Sequence, residues 1–210
     1  MRITKYTHAC LRLEHSGGVL VIDPGVFSES EALEGADAVL ITHEHMDHVD
    51  LDKLRAAAAA QPELTVHTHP DVEAQLTDLD ADVFAVNPGD IFVAAGMTVR
   101  AHGGRHAVIH PDIPQIVNVG FVIDAPSGPI YHPGDSFHVP DEEIATLFVP
   151  VSAPWLKLAE SIDFARAVKP ERAFALHDSL LVDAGQQMVT GHMTRLSGTH
   201  YTRLEPGQTI

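Results

Sequence analysis

An α/β (α+β) fold, with sheets sandwiched by helices in one unit over residues 1–210, is what the order of apolar segments predicts. Three observations carry that reading. The first third of the chain alternates in period two or runs short and apolar, as strands do. Strands then alternate with helix-patterned segments. No tandem repeat, low-complexity linker or composition break divides the chain.

The elements follow in order. Ala9, Leu11 and Leu13 alternate with Cys10, Arg12 and Glu14, the signature of a half-buried strand. Gly17-Gly18 turns the chain, and Val19 to Ile22 runs apolar to Asp23-Pro24-Gly25. Ala38-Val39-Leu40-Ile41 is continuously apolar, as a strand covered on both faces would be. Leu51 to Ala60 is built of helix formers and closed by Pro62. Leu64 to Val66 and Asp82 to Val86 read as strands around a short helix from Asp71 to Leu76. Asn87-Pro88-Gly89-Asp90 then leads into a hairpin of Ile91 to Val93 and Met97 to Ala101. Residues His102 to Gln115 lack periodicity and read as a loop over the site. Strands are expected at Val117 to Ile123, Ile130-Tyr131, Leu147 to Val149 and Ala173 to Leu176. Helices are expected at Ser161 to Val168 and Ala184 to Leu196.

Composition narrows the function. The 210 residues carry 29 acidic and 13 basic side chains, a formal charge of −16, which opposes general binding to nucleic-acid phosphates. With 45% apolar and 20% charged residues, the chain reads as globular. No apolar run is long enough to span a bilayer. The opening MRITKYTHAC has no signal-peptide core, so the expected location is cytoplasmic. The lone Cys10 rules out an intrachain disulfide framework and a thiolate-rich zinc site. Fifteen histidines instead suit metal chemistry based on nitrogen and oxygen donors.

The sharpest motif is Thr42-His43-Glu44-His45-Met46-Asp47-His48, directly after an apolar strand. On extended backbone, residues two apart project to one side, so His43 and His45 can hold one ion together. Asp47 and His48 follow, where a turn into the next helix can aim them at a second ion. The spacing is not the helical His-Glu-x-x-His signature, because Asp47 stands in the last position of that frame.

His43-Glu44-His45-Met46-Asp47-His48 resembles the His-x-His-x-Asp-His signature of the metallo-β-lactamase-fold hydrolases. The resemblance implies a four-layer αβ/βα sandwich, with two metal ions at one edge of the paired sheets. It also implies a downstream histidine, a bridging aspartate and a final histidine. For the first, His102 and His106 both lie just beyond an expected strand. His106 is preferred because Gly103-Gly104 resembles the turn that brings the backbone to the metals, and His110 is placed at the pocket mouth. Asp135, in Ile130-Tyr131-His132-Pro133-Gly134-Asp135-Ser136, is the implied bridge, and His177, after Ala173 to Leu176, the final ligand. One ion would then take His43, His45 and His106, the other Asp47, His48 and His177, with Asp135 between them. Such a donor set, without thiolate, suits zinc best and leaves manganese, iron and nickel open.

The implied activity is metal-dependent hydrolysis, a metal-bridging hydroxide attacking a carbonyl carbon or phosphorus, with Asp47 and Asp135 as proton acceptors. No Gly-x-Ser-x-Gly elbow, Rossmann fingerprint or P-loop offers a rival. Asp23 is a candidate to orient a ligand histidine or the Thr42 backbone, and His8 to reach the pocket. Trp155 and Lys157, in Ser152 to Lys157, are candidates to stack on the substrate and bind an anion. The acidic charge and the lack of a long insertion after His48 differ from the tRNA-processing branch. The layout is most similar to the small sugar-lactone (ascorbate-6-phosphate lactonase-like) branch, which implies a lactone, ester or phosphodiester of a small metabolite and no nucleic-acid or membrane partner. The alternatives are a di-iron oxidoreductase on the same fold and a non-catalytic metal-binding module. Oligomeric state does not follow from the sequence.

Overall fold

The computed structural model describes residues 1–210, and its strands form two sheets. In the first, β1 (Arg2–Lys5), β2 (Leu11–His15), β3 (Gly18–Ile22), β4 (Ala38–Ile41), β5 (Thr65–Thr68) and β6 (Asp82–Ala85) lie in chain order. In the second, β7 (Ile91–Ala94), β8 (Met97–Gly103), β9 (Val119–Ile123), β10 (Ile130–His132), β11 (Thr146–Pro150), β12 (Arg172–Leu176) and β13 (His200–Thr202) do the same. Each sheet starts as antiparallel hairpins and turns parallel, from β3 onward in the first and from β10 onward in the second. Parallel pairing requires crossovers. Helices α1 (Leu51–Ala60), α2 (Pro70–Glu73), α3 (Leu158–Val168) and α4 (Asp183–Leu196) make four of them.

Side-chain alternation explains the four layers. On β3, Leu20 and Ile22 point into the cluster between the sheets, and Val21 points into the cluster under α1. β4 divides likewise, Ala38 and Leu40 inward, Val39 and Ile41 outward. The inner layer meets Val99, Phe121, Ile123, Phe148 and Leu176 of the second sheet. Outside that sheet, Val122, Leu147 and Val149 pack with Phe164 and Ala165 of α3 and Met193 of α4. Strands buried on both faces must read as unbroken apolar runs, which is why Ala38–Ile41 does. Helix α1 buries Leu54, Ala57 and Ala58, one helical stripe, and starts where the Asp50 side chain accepts from the backbone N–H of Asp52 and Lys53.

The structure differs from the expected elements mainly at edges. Strand β13, His-Tyr-Thr, had no sequence signal: it is short and pairs along only one side, whereas β1 pairs with β2 on one side and bonds the C-terminal Gln208 and Ile210 on the other. Strand β1 stops at Lys5, and His8 lies beyond it in a turn with φ 69°. Strand β8 continues to Gly103, so His102 belongs to a strand and not to the loop. Helix α3 begins at Leu158 rather than Ser161. No helix is long and apolar enough to cross a membrane.

One contact ties the open edges of the two sheets together. The ring of His67 on β5 stacks on Phe84 of β6 at 5.0 Å and on Phe92 of β7 at 4.8 Å. Burial there lowers the imidazole pKa to about 4. The unfolded chain, with its histidine near 6.5, then binds more protons between those values, so stability falls as pH drops through that window. Replacing His67→Leu should therefore flatten the acid limb. Between pH 7 and pH 5 the metal-free wild type should lose roughly 1–2 kcal/mol more than the variant, measured by urea unfolding at each pH.

Candidate metal centre

Parallel sheets gather function at the carboxyl ends of their strands, and here two such edges meet. Strand β4 ends at Ile41, and Thr42 to His48 turn sharply, with the N–H groups of His48 and Val49 both donating to the His45 carbonyl at 2.9 and 3.0 Å. Gly25 allows a neighbouring loop to lie against this turn, since a Cβ there would stand 1.9 Å from the Asp47 carbonyl oxygen. From the second sheet, β10 leads to Asp135, whose N–H donates to the Asn118 side-chain oxygen at 2.8 Å. Strand β12 leads to His177. Three of the six non-glycine residues at positive φ (His8, Asp23 and His177) cluster here, a concentration of backbone strain common at functional sites.

The side chains converge in two groups. His43, His45, His106 and Asp135 bring ligand atoms within 4.8 Å of one another, and so do His8, His48 and His177. Asp135 joins the groups: Oδ2 is 3.2 Å from His106 Nε2, while Oδ1 is 3.0 Å from His48 Nε2 and 3.1 Å from His177 Nε2. His43 Nε2 faces His45 Nδ1 at 3.1 Å, and His177 Nε2 faces His48 Nε2 at 3.2 Å.

Outer contacts fix which ring nitrogens point inward. Asp23, fully buried, accepts from the Thr42 N–H and hydroxyl at 2.8 Å each and lies 2.6 Å from His48 Nδ1. His48 Nδ1–H donates to that carboxylate, which leaves Nε2 a lone pair aimed at the cluster. His106 Nδ1 similarly donates to the Ala107 carbonyl at 2.5 Å, and His43 Nδ1 meets the Thr42 hydroxyl at 2.9 Å.

This arrangement fits divalent cations. Two imidazole nitrogens facing each other at 3.1–3.2 Å cannot both donate. The buried His106 Nε2 and Asp135 Oδ1 have no hydrogen-bond partner, although ring nitrogens crowd around them. A metal ion satisfies converging lone pairs that hydrogen bonds cannot. Protonation is divided unevenly. Burial drives His43 well below the ordinary imidazole range. Burial opposes charge on His48 too, but in the metal-free protein Asp135 and Asp23 outweigh it and lift its pKa well above that range, so a cation would take the place of its Nε2 proton. Burial would raise Asp135, yet His177 and His48 hold it well below the usual carboxylate range.

The remaining candidates separate clearly. Asp47 lies beside the second group rather than within it: Oδ2 is 2.9 Å from His8 Nε2 and 3.9 Å from His48 Nε2, and its side chain is 27% exposed. Burial would raise its pKa, but the His8 hydrogen bond brings it to about 2. His8 stacks on His177 at 4.2 Å and meets the Ser179 hydroxyl at 3.0 Å. His102 is apart from the cluster, 2.8 Å from Glu142. The Trp155 indole N–H donates to Asp135 Oδ2 at 2.8 Å. Lys157 is exposed, its backbone N–H bonded to Glu160 at the start of α3, and His110 is exposed beside Asp112. Sequence reasoning missed Asn118, Ser179 and the role of the Thr42 hydroxyl. A lone hydroxyl or amide carries no pattern, though Thr42 and Ser179 lie one and two positions from named histidines.

The geometry gives a direct expectation for metal content. His106→Ala should lower bound metal, measured by elemental analysis of purified protein, and His102→Ala should leave it at the wild-type level. The reverse result would exchange their roles.

Residues 2–177 match the beta-lactamase superfamily domain. Protein Rv0786c of Mycobacterium tuberculosis is 37% identical over 204 residues, covering 96% of this chain and 95% of that protein. A UPF0173 metal-dependent hydrolase of Aeropyrum pernix is 30% identical over 155 residues, 64% of this chain and 61% of its own. Igni18, a metallo hydrolase of the archaeon Ignicoccus hospitalis, has the same fold, with a TM-score of 0.76 at 19% identity over 100% of this chain and 97% of its own. Fold and sequence match agree: the chain belongs to the beta-lactamase superfamily and has the metallo-β-lactamase fold.

Proposed function

We propose that the protein is a metal-dependent hydrolase that cleaves a lactone, ester or phosphodiester of a small molecule with two divalent cations, zinc being best suited to the donor set. The observation that carries this reading is Asp135, a buried carboxylate between two groups of imidazoles with one oxygen lacking a hydrogen-bond partner. His43, His45 and His106 would hold one cation, His48 and His177 the other with Asp47, and Asp135 both. Cations bound there supply a water made acidic enough to ionise near neutral pH and a Lewis acid to polarise the scissile bond.

The chain's own residues supply the rest. Asp23 and the Ala107 carbonyl lock His48 and His106 in the tautomers that bind metal through Nε2. Trp155 holds Oδ2 of Asp135 from outside the cluster and fixes the carboxylate plane. Asp47, ionised and partly exposed, is placed to accept a hydrogen bond from the attacking water and take its proton. His8 holds Asp47 in that position through Nε2, with Nδ1 engaged by Ser179.

Asp135→Ala should reduce hydrolysis of an activated ester or phosphodiester at least about a thousandfold while far-UV circular dichroism stays unchanged. Wild-type rates in that variant would reject the reading. Chelation should abolish turnover, and added zinc or manganese should restore it. About two metal ions per chain is the expected elemental analysis. Two irons would move the assignment to redox chemistry.

A further inference from the structure

Exposed apolar side chains crowd the loops that carry the metal centre. Met46, 65% exposed, sits between His45 and Asp47, and Val108, 55% exposed, follows His106 by two residues. Leu180, 47% exposed, follows His177 by three, and Phe27, 50% exposed, follows Asp23 by four. Trp155 adds its ring, 6.0 Å from that of His106. Isolated exposed apolar residues are ordinary on any protein surface. Here four separate segments each bring an exposed one within four residues of a side chain of the centre, and partly buried Trp155 adds a fifth.

Short contacts pin every one of these segments to the site. The Val26 N–H donates to the Met46 carbonyl at 2.9 Å, which joins the Phe27 loop to the histidine turn. The Phe27 ring lies 5.2 Å from that of His8. The Ala107 N–H donates to the Asp135 carbonyl at 2.7 Å and fixes the start of the Val108 segment. The Leu180 N–H donates to the His177 carbonyl at 3.3 Å. Trp155 is held by its indole N–H on Asp135. These side chains are therefore presented by anchored loops rather than by free tips.

Ligand sites are commonly apolar walls around a few polar groups that fix orientation. A patch that leaves water when substrate binds contributes through the area it buries. From this we infer that Phe27, Met46, Val108, Leu180 and Trp155 form an apolar collar that takes an uncharged alkyl, acyl or aryl group of the substrate while its scissile bond lies at the cations. The inference rests on the hydrolase reading of the same site and adds the substrate class. It favours a hydrophobic ester or lactone over a small polar sugar derivative.

Two measurements on the zinc-loaded full-length protein test it. Trp155 is the chain's single tryptophan, so its fluorescence reports on the collar. Titration with 2-butanone, 2-hexanone and 2-octanone, which carry a carbonyl but no scissile ester, should give a Kd falling about three- to fourfold per methylene. The kcat/KM for p-nitrophenyl acetate, butyrate and hexanoate should rise with a similar slope, and Leu180→Ser with Met46→Ser should flatten both slopes. Affinities and rates that do not change with chain length overturn the collar and leave the hydrolase reading standing. Unaltered slopes in the double variant overturn it too. Ketone affinity that rises with length, with no ester cleaved, upholds the collar and removes the hydrolase reading.

Discussion

The buried carboxyl group of Asp23 is the contact on which the arrangement of the metal centre turns. Taking it out of water is costly unless its oxygens are fully engaged. Here they are, by the Thr42 N–H, the Thr42 hydroxyl and His48 Nδ1. That one group joins the end of β3 to the end of β4, fixes the turn that starts the histidine cluster, and selects the tautomer of His48. Deleting its carboxylate leaves three buried donors unsatisfied at once, beside the residues that need the most exact placement.

The second sheet is braced by a different kind of contact. Lys5, fully buried on β1, places its ammonium 3.1 Å from Asp178 Oδ1, and Arg203 donates to Asp178 Oδ2 at 2.7 Å. Asp178 directly follows His177, whose backbone is held in the left-handed region at φ 63°. Breaking one partner of a buried ion network leaves an uncompensated charge, so the three residues act as one unit. The network spans the first strand, the loop after β12 and the C-terminal segment. The backbone ladder from Ile3 and Lys5 to Ile210 and Gln208 closes the same seam.

The candidate metal centre sits where these two braces meet. Neither sheet alone offers a complete donor set: His43, His45 and His48 come from the end of the first, and His106, Asp135 and His177 from the second. The packed layer between them, from Leu20 and Leu40 to Phe121 and Phe148, holds the two edges in register. Close-packed interiors transmit displacement, so shifts in this layer reach the candidate metal ligands.

Much of this was legible in the chain itself. Period-two alternation and short apolar runs located the central strands, because a strand buried on one or both faces must show one pattern or the other. The Leu51–Ala60 helix was readable from local propensity and a proline stop. The His43 to His48 cluster stood out because ligands two apart on extended backbone share a side. Edge strand β13 was not legible, since with one neighbour and a single buried residue it leaves no periodic trace. The preference for His106 over His102 rested on Gly103-Gly104 alone, because both follow the same strand. Continuation of β8 to Gly103 carries His102 to Glu142, and only the turn beyond Gly104 returns His106 to Asp135. Sequence by itself determined the layers and the donor types, which depend on local pattern and side-chain chemistry. Tertiary structure alone decided that His8 joins His48 and His177, that Asp47 turns to His8 and that Trp155 reaches Asp135. Those contacts join residues far apart in the chain, and no local spacing encodes a distance that folding sets.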